Sequence, residues 1–534
     1  MHLMALSSQS QSQNDAVPVT YRQANLLPGQ LLDQATVCLE EQLYSSAFQF
    51  LSASLTSGND STQPAQIPLP QHFALAATLS VHPAFTTRSN NKDKHAAADD
   101  ALRYLDYARR LVGAQQAGLG NAFVYVPKTV QRTIKRQMRS RNSDQHSTDD
   151  DEESLTSIRS VFAHEESLWQ NAEDFWAVLG WALNCSVVHR ARWERWRPFL
   201  EFMLDVLEAD LDVGIRDRSG HESLLATYLS PIGEGRNNKR RLMRSILADG
   251  KAKAMGEFGE VWKDETKAPK LKREDEAVGS KKRKLDLENE DYGDYFDDSE
   301  AEDVMTSSVV AGGRGRRGRR SGDATENEPL HSLTANDELT GLHSLGGISS
   351  INIRRRILAA LFKYCYYNPT SFLDTEELLD IYTEFIRPLP LAVFQQFACP
   401  ARRWLGPHEQ SSLDQMLLRP LISSAAPEYD ENRLTQKDLE RHYAPFPANT
   451  TGWVDNAKVS LLVEDLLRLL WRTGGLTYNK KLRAAVTEGV KTRNERALWD
   501  ARKKTGLRVV EDRNAKLVLE SSGKRMVALL DMLE

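Results

Sequence analysis

Between about Lys251 and Ser350 the chain has too few apolar side chains to bury a face, so whatever folds must lie on either side of that belt. The belt carries Lys281-Lys282-Arg283-Lys284, then an acidic run through Asp291, Asp294, Asp297, Asp298, Glu300, Glu302 and Asp303. Next comes Gly312-Gly313-Arg314-Gly315-Arg316-Arg317-Gly318-Arg319-Arg320. Apolar residues at helical spacing flank it on both sides. The expected class is therefore mainly α: a disordered tail over 1–27, then a helical domain over 28–250 with a disordered insertion at about 140–156. A disordered linker over 251–349 and a second helical domain over 350–534 complete it. A chain of 534 residues has room for that, at roughly 100–200 residues per domain.

The net charge of -5 is a small difference between 74 acidic and 69 basic side chains, and it hides strong local segregation. Cys38, Cys185, Cys365 and Cys399 stand far apart, with no C-x-x-C pair. That spacing argues against a thiolate zinc site and for reduced thiols in an intracellular compartment. Residues 1–15 lack the basic and apolar regions of a secretory signal, and no run of about 18 apolar residues predicts a membrane span.

In the first half, Leu31, Ala35, Cys38, Leu39 and Leu43 recur every three or four residues. Ala47, Phe48, Leu51 and Leu55 repeat the pattern before Gly58, which predicts two antiparallel helices. A second pair spans His72–Leu79 and Ala97–Leu111, where Ala101 and Ala108 would let a neighbour approach closely. A third is rich in aromatics, from Trp169, Trp176 and Trp181 to Trp193, Trp196, Phe199 and Phe202. Aromatics at helical spacing fill cores more often than they anchor peptides, so burial is the preferred reading of this cluster.

Trp176-x2-Leu179-Gly180-x2-Leu183 resembles the first half of the tetratricopeptide repeat, with Leu in place of Tyr. Ala47-x3-Leu51 and Ala101-x3-Leu105 resemble its second half, with Leu in place of Phe. The resemblance spans about residues 28–211; no unit carries the whole motif. It implies stacked helical hairpins with a surface that holds partner segments. An irregular helical array with similar local packing fits the same residues.

Lys128, Arg132, Lys135, Arg136 and Arg139 fall on one face of a predicted amphipathic segment, opposite Val130, Ile134 and Met138. Such a face suits phosphates or an acidic partner, although a solvated helix face has the same appearance. In the belt, Lys270, Lys272 and Arg273, with Lys281, Lys282, Arg283 and Lys284, form the kind of basic cluster that import receptors read. Arg314, Arg316, Arg317, Arg319 and Arg320 alternate with glycine, which suits weak, salt-dependent polyanion contact.

Past the belt, Ile353, Ile357, Leu358 and Leu361 predict a helix with Arg354, Arg355 and Arg356 near its start. Thr375 is placed as the cap of the next helix, and Val459, Leu462, Leu466, Leu469 and Leu470 define a strongly apolar one. A basic helix carries Lys480, Lys481, Arg483, Lys491, Arg493 and Arg496. Residues 507–519 alternate and suggest a small β-hairpin.

The sequence contains no P-loop, dinucleotide fingerprint, nucleophile elbow or H-E-x-x-H. His82, His164 and His189 are read as surface or turn positions. The expected function is that of a nuclear, non-enzymatic scaffold or adaptor in a chromatin-associated assembly, for chromosome maintenance, DNA repair or transcription. No cofactor, metal or membrane is expected. Its partners would be other proteins of a nuclear complex and an import receptor, with weak DNA or RNA contact. The alternative is a factor of RNA processing or ribosome assembly that binds nucleic acid directly.

Overall fold

The computed structural model describes residues 21–58, 63–126, 158–217, 223–233, 235–267, 341–401, 403–422, 434–498 and 509–534, which all belong to one compact unit. The fold is mainly α. Its longer helices are α1 (Gly29–Glu40), α2 (Tyr44–Thr56), α3 (Pro70–Val81), α4 (Lys92–Leu111), α5 (Phe175–Val188), α6 (Arg190–Asp217) and α7 (Arg236–Ile246). Past the belt come α8 (Gly347–Tyr367), α9 (Thr375–Ile386), α10 (Leu391–Ala398), α11 (Pro407–Leu418), α12 (Trp453–Arg472), α13 (Lys480–Leu498) and α14 (Val509–Leu533). Two three-residue strands, β1 (Ala24–Leu26) and β2 (Ala65–Ile67), pair in parallel.

Local chemistry sets the helix starts. The Asn91 side chain accepts from the Asp93 N–H at 2.7 Å at the start of α4, and Asp174 accepts from Ala177 at 2.7 Å at the start of α5. Asp374, not Thr375, caps α9, accepting from Glu377 at 2.7 Å. On α4 the small residues Ala97, Ala98, Ala101 and Ala108 are buried together with Tyr104 and Leu105, so α2 and α3 both pack close. Helix α5 is apolar all round and occupies the middle of the array between α6 and α7. Trp176, Trp181 and Trp196 are fully buried, which makes the aromatic cluster core.

Residues on both sides of the belt share one apolar core, running from Leu27 to Leu530. Polar contacts join the same two halves. Arg354 on α8 is completely buried; its Nη1 donates to the Ile246 carbonyl at 2.6 Å and its Nη2 to that of Ala248 at 2.9 Å. A guanidinium there meets unpaired carbonyls at the C-terminus of α7, where the helix dipole favours a cation. Burial pulls its pKa down to about 9. Along α7, Arg236, Lys239 and Arg240 pair with Asp380, Glu377 and Glu384 of α9. On the far face of α8, Arg356 reaches Asp205 and Glu208 of α6, each at 2.7 Å.

Several boundaries differ from those expected. Residues 21–27 are not tail: Arg22 donates to the carbonyls of Leu55 at 3.0 Å and Gln63 at 2.9 Å, and Leu27 is buried. Residues 251–267 fold instead of opening the linker, because Phe258 and Trp262 are buried anchors in an otherwise charged stretch. Glu265 is fully buried there, accepting from Arg192 Nε at 2.7 Å and from Trp196 Nε1 at 2.9 Å. His82 sits at the turn that ends α3, as expected, but is not exposed: it is buried against Phe85, Phe162 and Trp262, and burial drives its pKa down to about 3. In place of the hairpin over 507–519, Val509 onward is helical. Ala515, Leu519, Ser522 and Met526 are buried at spacings of four, three and four, a helical period.

Candidate docking groove

Helices α6 and α8 run side by side, and where α8 ends their polar surfaces meet the loop leading into α11. The junction leaves a groove of about 740 Å³. Leu211, Phe362 and Leu405, all buried, line it. Tyr366 and Tyr367, on the last turn of α8, are 61% and 54% exposed, with ring centroids 5.1 Å apart and planes nearly perpendicular. The turn stops there because Asn368 Nδ2 donates back to the Tyr364 carbonyl at 3.2 Å and Pro369 cannot continue a helix.

Trp404 lines the same groove. Its ring is held edge-on against Phe362 at 5.4 Å and Tyr382 at 5.8 Å. Its indole N–H is buried and has no acceptor among the described residues. Glu208, Asp212 and Glu409 give the rim carboxylates. Glu208 is held by Arg356 and Asp212 by Lys363, whereas Glu409, in the first turn of α11, makes no ion pair among the described residues.

A second cluster pairs two buried carboxyl groups with a partly buried thiol. Ligating atoms of Cys399, Asp414 and Asp465 lie within 4.8 Å of one another, where α10, α11 and α12 converge. Gln410 Nε2 donates to Asp414 Oδ1 at 3.0 Å, and Arg403 Nη2 donates to Asp465 Oδ1 at 2.7 Å. Burial raises the pKa of Asp414 and of Asp465, and the Asp465 charge raises Asp414 further. The Cys399 thiol is likewise pushed well up by burial. A proton shared between the two carboxyl groups satisfies this geometry, since the Arg403 guanidinium already supplies the local positive charge.

The import-signal residues Lys270, Lys272, Arg273, Lys281, Lys282, Arg283 and Lys284 lie outside the described residues. So do the polyanion candidates Lys128, Arg132, Lys135, Arg136, Arg139, Arg314, Arg316, Arg317, Arg319 and Arg320. The basic helix α13 faces inward more than its composition suggests. Arg493 is fully buried and donates to the carbonyls of Ala444 at 3.0 Å and Phe446 at 3.1 Å, with its pKa pulled down to about 9 by burial. Arg483 pairs with Asp531 at 2.9 Å and Glu534 at 2.7 Å.

Sequence reasoning overlooked both the groove and the basic face of α7. The Tyr366-Tyr367 pair ahead of Asn368-Pro369 was a legible signal: two aromatics at a helix end with no further turn to cover them.

No protein-family model matches the chain, and no curated protein or solved structure matches it. Trp176, Leu179, Gly180 and Leu183 all lie buried on α5.

Proposed function

We propose that this chain is a non-enzymatic helical scaffold that holds a segment of a partner protein in the groove beside Tyr366, Tyr367 and Trp404. The supporting observation is that two strongly exposed aromatic rings, Tyr366 and Tyr367, line one groove together with Trp404. Such sites bind extended segments through aromatic contact area and a few placed hydrogen bonds. A nuclear, chromatin-associated assembly is the proposed setting, supported by the basic clusters Lys270–Arg273 and Lys281–Lys284 in the sequence.

Affinity purification of the intact chain after nuclease treatment tests this reading. A protein recovered in stoichiometric amount is expected. Recovery that vanishes with the nucleic acid would favour direct nucleic-acid binding instead. Replacing Lys281, Lys282, Arg283 and Lys284 with alanine is expected to shift the protein out of the nucleus, and unchanged localisation would remove the compartment from the proposal.

A further inference from the structure

Resting on the groove reading above, we infer that the occupant is a basic segment, which places a lysine or arginine side chain against Tyr366, Tyr367 and Glu409. Three features converge on that chemistry. Glu208, Asp212 and Glu409 line the groove against Lys363 and His408, so carboxylates outnumber the permanent cation. Lys363 is committed to Asp212, while Glu409 has no ion pair among the described residues and is left to meet a charge from outside. The exposed faces of two tyrosines lie in the same groove, and a tyrosine face attracts a cation within about 6 Å.

One peptide side chain supplies the cation for the rings and for Glu409 together. An acidic segment would bring a like charge onto Glu409, whereas Glu208 and Asp212 are already paired with Arg356 and Lys363. A purely apolar segment would leave Glu409 desolvated without a counter-charge, which is unfavourable.

The test uses the intact chain and three fluorescent peptides of equal length, with lysine, glutamine or glutamate at the same positions between leucines. Fluorescence anisotropy at physiological salt should give tightest binding for the lysine peptide. Combined Tyr366→Ala and Tyr367→Ala should weaken it about tenfold or more. Glu409→Gln should weaken it several-fold. The acidic run at Asp291–Asp303 also attracts cations, so the groove variants are decisive, and lysine-peptide binding that they leave unchanged overturns the inference. Equal or better groove-dependent binding of the glutamine or glutamate peptide also overturns it, while leaving the docking reading intact. Failure of all three peptides, with the variants folded by circular dichroism, counts against both.

Discussion

Arg354 Nη1 donates to the carbonyl oxygen of Ile246 at 2.6 Å, a contact between residues 108 positions apart on opposite sides of the belt. With the donation to Ala248, it means that a single buried guanidinium ties the start of α8 to the end of α7. The folded halves on either side of the belt should therefore unfold together.

Replacing Arg354 with methionine keeps bulk but strands two buried carbonyls. The expected cost is on the order of 3 kcal/mol, partly offset by no longer burying a charge. Urea unfolding followed by tryptophan fluorescence should show one transition in the wild type and an earlier one in the variant. Two separate transitions in the wild type, or an unchanged midpoint in the variant, would contradict the shared core.

Gly180 presents a case where two effects oppose each other. In the middle of α5, alanine would be favoured over glycine by about 1 kcal/mol from helix propensity alone. A Cβ there, however, would run into the Phe258 ring. Overpacking of that kind costs typically about 1–3 kcal/mol, so Gly180→Ala should lower the melting temperature and Phe258→Leu should partly restore it. A stabilised Gly180→Ala would show that Phe258 does not sit on α5.

The pairs between α7 and α9 are half-exposed and should contribute little individually. Arg240→Glu faces Glu384 with a like charge and is expected to cost less than about 1 kcal/mol. Adding Glu384→Arg should recover most of it, a coupling read from a double-mutant cycle. No coupling would mean that the pair contributes to surface solvation alone.

The Asp414–Asp465 pair makes a prediction with a definite sign. Both carboxyls have raised values in the fold, against about 3.9 in the unfolded chain. Their contribution is full below the unfolded value and is lost as pH rises through the raised ones. His72 and His82 run the other way: their lowered values, about 4 and about 3, give stability above the unfolded histidine value that is lost as pH falls. Comparing Asp414→Asn with wild type isolates the carboxyl pair, because the histidines are common to both. The variant should gain stability relative to wild type as pH rises above the unfolded carboxylate value of about 3.9. Parallel melting-temperature profiles would rule out proton sharing.

Much of the helical layout was legible in the sequence. Periodic Leu, Ala and aromatic positions located α1, α2, α4, α5, α8 and α12 because each has a stripe or a whole circumference of apolar residues. The hairpin expectation failed because residues 507–519 were too short a window to distinguish alternation from the four-three-four spacing that continues to Met526. The inward turn of Arg354, Arg493 and Glu265 could not be read at all, since a charged residue signals its burial only through partners far along the chain. The groove is hidden for the same reason: Asp212, Tyr367 and Glu409 come together only after three separate elements have packed.

The docking site is tested most directly by quantitative mass spectrometry of proteins that co-purify with the intact wild-type chain and with the Tyr366→Ala, Tyr367→Ala variant. Both side chains are more than half exposed, so the variant should fold and melt within a few degrees of wild type. The account predicts at least one stoichiometric partner whose recovery falls about tenfold or more in the variant. Equal recovery of every stoichiometric partner from both chains would contradict the groove as the docking site.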